Sequence, residues 1–281
     1  MIVFIYDTET TGLDPAVDRI VQHGLLVLDL EHNKVVDILT ILAWEKDFPV
    51  VASSGKVHGW TLPCLMKYAT HPGNAVQKIT AAYYQYRPVA VIAHNGIKYD
   101  RNMWRAERVR YSAEEWHATI DQECVLLRLP WLDTQHHAEY EGCPNKALLT
   151  IAAHHEFLNP FPHDAVSDCY TLVSILKRNP TLLMQMAKRA AATKSLVFAN
   201  IPPGFNPANN AMVKEKGFKW QDVDGHHYDK SWIRVVERDK FVEFASTCEF
   251  QVNVIKDIPA ADEYVALYQN LSEFFEKKWM S

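Results

Sequence analysis

Ile2-Val3-Phe4-Ile5-Tyr6-Asp7-Thr8-Glu9-Thr10-Thr11-Gly12 opens the chain with an apolar run that ends abruptly in two acids. A run this rich in β-branched and aromatic residues predicts a strand buried on both faces of a sheet. Side chains repeat every second residue along a strand, so Asp7 and Glu9 project to the same side. Two carboxylates side by side at the end of a buried strand repel each other, unless a cation lies between them or one keeps its proton. Oxygen-only ligands with no thiolate nearby point to a hard ion, Mg²⁺ or Mn²⁺. Taken alone, the pair reads more readily as a solvated strand end entering a turn. The choice rests on whether partners for these acids occur downstream.

Working outward, Arg19 to Asp29 and Lys34 to Trp44 read as strands joined by the turn Glu31-His32-Asn33. With the first strand they make an antiparallel meander. Residues 45–60 are loop-like, and helical spacing over Asn74 to Tyr86 stops at Pro88. Val89 to Ala93 is a second buried strand, ending in His94-Asn95-Gly96-Ile97-Lys98-Tyr99-Asp100. A basic helix follows, with Arg101, Arg105 and Arg108 on one face. Residues 118–158 read as a short strand and two helices, separated by a proline-bounded loop from Pro130 to Pro144. Pro160 and Pro162 break the chain before His163-Asp164-Ala165-Val166-Ser167-Asp168, and a largely apolar helix runs on to about Lys177. Another helix runs from Pro180 to about Thr193. Ile201-Pro202-Pro203-Gly204 and Asn206-Pro207 then mark a change of texture. The expected organisation is an α/β domain over 1–193 and a small C-terminal α+β domain over 194–281.

The 281 residues are 48% hydrophobic and 22% charged, with a formal net charge of −5, which excludes a basic nucleic-acid coat. A nucleic-acid enzyme remains open, because a metal site contributes several carboxylates and only the contact face must be basic. Cys64, Cys124, Cys143, Cys169 and Cys248 are odd in number and form no C-x-x-C pair. They read as free thiols in a reducing compartment. The opening apolar run is too short for a signal peptide and lacks a basic leader. No stretch is long enough to cross a bilayer. The expectation is a soluble cytoplasmic protein with no membrane partner.

Acids now end three buried elements: Asp7 with Glu9, then Asp100, then Asp168. A fixed site can be built on such rigid supports. A helix turns about 500° over five residues, so His163 and Asp168 cannot share a face if both are helical. The prolines resolve this by leaving His163 in a loop, with Asp164 as N-cap and Asp168 in the first turns. Phosphodiester hydrolysis suits this set. The bond carries a negative charge that repels hydroxide, and the leaving group is an alkoxide. Two hard cations about 4 Å apart meet both difficulties. A nearby histidine, with an ordinary pKa of about 6.5, serves as base near neutral pH.

D-x-E-T-T-G at Asp7 to Gly12, H-N-x-x-x-x-D at His94 to Asp100 and H-x-x-x-x-D at His163 to Asp168 resemble the three motifs of the DEDDh family of 3′–5′ exonucleases. That family includes the epsilon proofreading subunit of bacterial replicative polymerase, exonuclease X and RNase T. The resemblance covers roughly residues 1–190 in the right order, with Val57-His58-Gly59 and Thr119-Ile120-Asp121 as weaker signposts. It implies a ribonuclease H-like fold, a mixed sheet flanked by helices. It implies that Asp7 bridges two Mg²⁺ or Mn²⁺ ions. Glu9 and Asp168 would complete the site of the water-activating ion, Asp100 would hold the second ion, and His163 would be the general base. One departure is visible: Asn95 and Asp100 are five apart, where many members have four. The longer spacing also resembles the proofreading domain of some phage polymerases, but those carry Tyr in the third motif, where this chain has His163.

The implied activity is release of nucleoside 5′-monophosphates from the 3′ ends of single-stranded or frayed DNA. RNA end-trimming, or a proofreading or adaptor role alongside a DNA polymerase or other replication or repair protein, are the alternatives. Thr10 and Thr11 are candidate substrate contacts within the first motif. Asn95 either caps the following helix or meets substrate. Trp60 either stacks on the terminal base or anchors its loop. Arg101 and Arg105 either guide the phosphate backbone or form a solvated face. The histidine doublets at 136–137, 154–155 and 226–227 lack cysteine or acidic partners at zinc-ligand spacing. In Lys214-Glu215-Lys216-Gly217-Phe218-Lys219-Trp220 and Lys230-Ser231-Trp232, the aromatics either form a miniature core or, interleaved with lysines, bind single-stranded DNA.

Overall fold

In a computed structural model describing residues 1–46, 48, 52–110, 125–200, 207–222 and 230–280, the opening run is strand β1 (Ile2–Thr10). It pairs antiparallel with β2 (Ile20–Asp29), which pairs antiparallel with β3 (Lys34–Leu42). Helices α1 (Ala52–His58), α2 (Leu62–Tyr68) and α3 (Pro72–Tyr86) follow. Strand β4 (Val91–Ala93) then lies parallel to β1, and β5 (Trp131–Asp133) parallel to β4. The five strands run in the order β3-β2-β1-β4-β5. The sheet is mixed, as the motifs led one to expect. Helices α4 (Asp100–Arg110), α5 (Leu148–His154), α6 (Ala165–Arg178) and α7 (Leu182–Ala190) complete the order.

Burial on both faces explains the unbroken apolar opening of β1: Val3, Phe4, Ile5 and Tyr6 are all 0% exposed. Phe4 and Tyr6 face one side and pack with Ala75 and Ile79 of α3 and with Met103 and Trp104 of α4. Buried aromatics with polar tips need partners. Trp104 Nε1 donates to the Tyr6 hydroxyl at 2.6 Å, and that hydroxyl meets His23 Nδ1 at 2.7 Å. Burial holds the His23 imidazole down at about 3, so it stays neutral. Ile5 belongs to the other face, where α6 packs and Cys169 Sγ reaches the Ile5 carbonyl at 3.5 Å. By parity Asp7 and Glu9 belong to the α6 face, and Thr8 to the α4 face.

Two loop expectations are corrected, and the first is residues 45–60, which contain helix α1. The segment from Pro130 to Pro144 is not all loop, because Trp131-Leu132-Asp133 forms β5. Three residues between a proline and a turn are too few to show periodicity, and Pro130 is tolerated because β5 is the edge of the sheet. The chain divides into two units, leaving the first at Lys188 and returning to it at Ala266. That first unit is Met1–Ala187 with Ala266–Ser281. Helix α10 (Asp262–Met280) ends in it, with Lys278 Nζ donating to the carbonyls of Leu30 at 2.7 Å and Glu31 at 2.9 Å.

The second unit contains β6 (Lys194–Asn200), α8 (Pro207–Glu215), β7 (Lys219–Asp222), β8 (Lys230–Glu237), α9 (Phe241–Ser246) and β9 (Gln251–Ile258). Its antiparallel sheet runs β7-β8-β6-β9 over a small core that includes Val197, Val213, Phe218, Trp232 and Val252. Cys64, Cys143, Cys169 and Cys248 are free thiols. Among the described residues, no helix is long and apolar enough to cross a membrane.

Candidate active site

Asp7, Glu9, Asp100, His163 and Asp168, drawn from three motifs, line one cavity of about 700 Å³. A glycine on β2 governs how close the third motif comes. Gly24 stands opposite Asp7 in the ladder. A Cβ there would lie 2.4 Å from the Ala165 carbonyl carbon, so the start of α6 rests directly on the bare β2 backbone. Asp164 caps that helix by accepting from the Ser167 N–H at 2.9 Å, as the sequence predicted. His163 precedes the cap with a left-handed φ of 62°. Ligand atoms of Glu9, His163 and Asp168 all lie within 4.8 Å of one another.

Sequence reasoning missed the groups that hold these side chains. Asn159 Nδ2 donates to Asp168 Oδ1 at 2.6 Å. The Asn159 Oδ1 in turn accepts from the Ser167 hydroxyl at 2.5 Å and the Phe161 N–H at 2.9 Å. On the α4 side, Thr8 Oγ1 donates to Asp100 Oδ1 at 2.5 Å, as its parity on β1 allows. The lengthened second motif is folded around Asp133, which is 0% exposed. Its carboxylate accepts from the N–H groups of Asn95 at 3.0 Å, Ile97 at 3.1 Å and Gln135 at 2.9 Å. Asn95 adopts φ 59°, and a Cβ on Gly96 would sit 2.3 Å from the Ala93 Cβ. The available signal was an acid ending an apolar run at Trp131-Leu132-Asp133. Tyr99, also on the cavity wall, donates to the Gly12 carbonyl at 2.9 Å and ties the second motif to the first. Burial pushes its hydroxyl up to about 12, so it keeps its proton.

The candidate substrate contacts divide. Thr10 and Asn95 line the cavity. Thr11 does not: it is 1% exposed, donates to Asp18 Oδ1 at 2.8 Å and accepts from the Arg19 N–H at 3.0 Å, which braces the turn after β1. Trp60 packs against Val21, Phe48 and Leu65 and donates its Nε1–H to Gln22 Oε1 at 2.8 Å. Val57 and His58 of the same segment line the cavity. Arg101 and Arg105 lie outside the cavity lining, and Arg105 donates to Asn102 Oδ1 at 3.3 Å. Thr119-Ile120-Asp121 and the doublet at 226–227 lie outside the described residues. Neither of the other two doublets belongs to a metal-ligand cluster among the described residues.

The carboxyls perturb one another strongly. Burial, then Asp100, Asp168 and Glu9, raise Asp7 well above the usual carboxylate range. Burial, then Asp168 and Asp100, push Glu9 up to about 9. Burial raises Asp100 to about 7 against the opposing Thr8 hydrogen bond. Asp168 is raised to about 6 by burial, with His163 and Asn159 opposing. Protons therefore hold this cluster together when no cation does. The nearby Cys169 sulfur is turned toward the Ile5 and Gly24 carbonyls. An all-oxygen set that is unstable when ionised fits hard divalent cations.

No protein-family model matches the chain. No curated protein matches it either. Solved structures do. A structure of exonuclease I superposes with a TM-score of 0.55 at 12% identity, covering 97% of this chain and 70% of that one. E. coli exonuclease I in complex with a dT13 oligonucleotide gives 0.54 at 14% identity, covering 97% and 71%. The zinc-bound form of the E. coli exonuclease I complex with single-stranded DNA gives 0.55 at 13% identity, with the same coverage. At these identities the likeness shows a shared fold.

Proposed function

We propose that this chain is a metal-dependent 3′–5′ exonuclease that removes nucleoside 5′-monophosphates from single-stranded or frayed DNA ends. The observation that carries the reading is the gathering of Asp7, Glu9, Asp100 and Asp168 beside His163 in one cavity. Asp7, Glu9, Asp100 and Asp168 would hold a pair of Mg²⁺ or Mn²⁺ ions, which would supply charge neutralisation at the phosphate and at the departing 3′-oxygen. The His163 imidazole takes the proton of the water that attacks the terminal phosphorus in line. The phosphorus–O3′ bond breaks and the departing 3′-oxygen takes a proton from solvent water, which frees the nucleotide and leaves a strand one residue shorter with a new 3′-hydroxyl. Asn159 holds Asp168, and Thr8 holds Asp100, so neither acid must reorganise during the reaction. The exonuclease I neighbours solved with oligonucleotides support DNA as the polymer.

The test is product analysis on matched DNA and RNA single strands, with Mg²⁺, with Mn²⁺ and with chelator. Stepwise shortening of 3′-unlabelled, 5′-labelled DNA with mononucleotide release is expected. Faster shortening of the RNA would reassign the substrate. Intact strands under every condition would end the nuclease reading.

The Lys188–Val265 unit supports an accessory role in holding the strand. Its aromatic trio divides: Phe218 is 3% and Trp232 9% exposed, whereas Trp220 is 55% exposed. Retention of a DNA polymerase or another replication or repair protein by this unit, without any effect on DNA affinity, would replace that role.

A further inference from the structure

Gln22 lies on β2, is 1% exposed and takes no part in the chemistry above. Its Oε1 accepts from Trp60 Nε1–H at 2.8 Å and from the Ala165 N–H at 3.1 Å. Its Nε2 donates to Asp164 Oδ2 at 2.8 Å and, at 3.5 Å, to Thr40 Oγ1. The amide can turn only one way here. Indole and backbone N–H groups only donate and a carboxylate only accepts, so a flipped amide would oppose donor to donor and acceptor to acceptor. Three of these partners lie in segments that carry residues of the cavity lining. Asp164 caps α6 and follows His163 directly, and Ala165 is the first residue of α6. Trp60 closes the segment that brings Val57 and His58 to the cavity.

We propose that Gln22 is a positioning residue that locks the Trp60 segment to the helix end presenting His163 and Asp168, so that Trp60 influences turnover through this amide and not by touching substrate. The inference rests on the exonuclease reading. Of the two roles open to Trp60, it takes the loop anchor over base stacking and gives that anchor a mechanical effect on the site. Trp60→Phe keeps an aromatic ring and removes the N–H. Gln22→Met keeps the length and removes all four hydrogen bonds.

The test is a double-mutant cycle in the full chain, reading kcat and KM on a single-stranded oligonucleotide and, separately, the rise in Tm produced by Mn²⁺. Trp60→Phe should lower kcat about tenfold with KM within about twofold, and Gln22→Met should lower it at least as far. The double variant should be no slower than Gln22→Met alone, because the indole has already lost its listener. The Mn²⁺-induced rise in Tm should shrink in Gln22→Met, since Asp168 rides on the same helix end. Multiplying losses in the double variant, or a raised KM with unchanged kcat in Trp60→Phe, would overturn the proposal. If Gln22→Met folds poorly, Trp60→Phe decides by the same split. An inactive wild type would end the nuclease reading, and an equal Mn²⁺ effect on Tm in wild type and Gln22→Met would then end this one as well.

Discussion

Asp133 is a carboxylate with no access to solvent, surrounded by the backbone N–H groups of Asn95, Ile97 and Gln135. An acceptor-only group suits a loop that presents only donors. In Asp133→Asn, one side of the amide must point its own N–H at a backbone N–H, and the loop carrying Asp100 loses an anchor. The expected outcome is a 10- to 100-fold fall in kcat, about the usual cost of losing a group that orients a metal ligand, with KM little changed and the fold retained. Steady-state kinetics with circular dichroism checks this, and wild-type kcat would refute it. Gly24→Ala makes the opposite kind of error by adding an atom 2.4 Å from the Ala165 carbonyl carbon. Overpacking of this kind costs about 1–3 kcal/mol, and here it also lifts Asp168 away from Asp7. A lower Tm together with weaker Mn²⁺ binding by calorimetry is expected. The five acidic and imidazole residues were legible because each ends a buried run or follows a proline break. Asp133, Asn159 and Gln22 were not, because their work is defined by partners far away in sequence: Gln22 meets Ala165 across 143 residues.

At the scale of elements, β1, α4 and α6 each bring acids that repel one another, so their packing is coupled to pH. A carboxyl raised by folding contributes stability that is fully present below its unfolded pKa of about 4 and is lost as pH rises through its folded value. Those folded values are about 6 for Asp168, about 7 for Asp100 and about 9 for Glu9. Metal-free protein should therefore lose Tm steadily from about pH 5 to pH 9. Over the same window the Tm gained from Mg²⁺ or Mn²⁺ should grow, because a cation need displace fewer protons. Calorimetric melts in chelator and in metal across that range test both slopes. A metal effect that shrinks with rising pH would mean these acids do not form the cation site. Long elements with clear periodicity, β1 to β3, α3 and α6, were readable in advance. β5 was not: at three residues its identity comes from pairing with β4, a tertiary fact that no local pattern carries.

At the scale of the molecule, the excursion from Lys188 to Val265 gives the chain a second unit whose one large exposed aromatic among Phe218, Trp220 and Trp232 is Trp220. Trp220 lies on the edge strand β7, directly opposite Trp232 of β8, with their rings 5.5 Å apart. Lys214 approaches the Trp232 ring at 5.9 Å, and Lys219 precedes Trp220 as an exposed residue. A ring face rimmed by cations suits an unpaired base and its phosphate. Stacking of one base is worth about 1–3 kcal/mol, so Trp220→Ala should weaken binding of a long single strand about 5- to 150-fold. Trp220→Phe should recover most of that loss. Lys219→Ala should instead flatten the dependence of affinity on salt, because it removes a phosphate contact. None of these changes should alter kcat on a tetranucleotide that fills only the cavity of the first unit. Fluorescence titrations in chelator measure binding without turnover. If Trp220→Ala binds long strands as wild type does, the aromatic edge serves a protein partner instead, and pull-down with the same variant would then lose that partner.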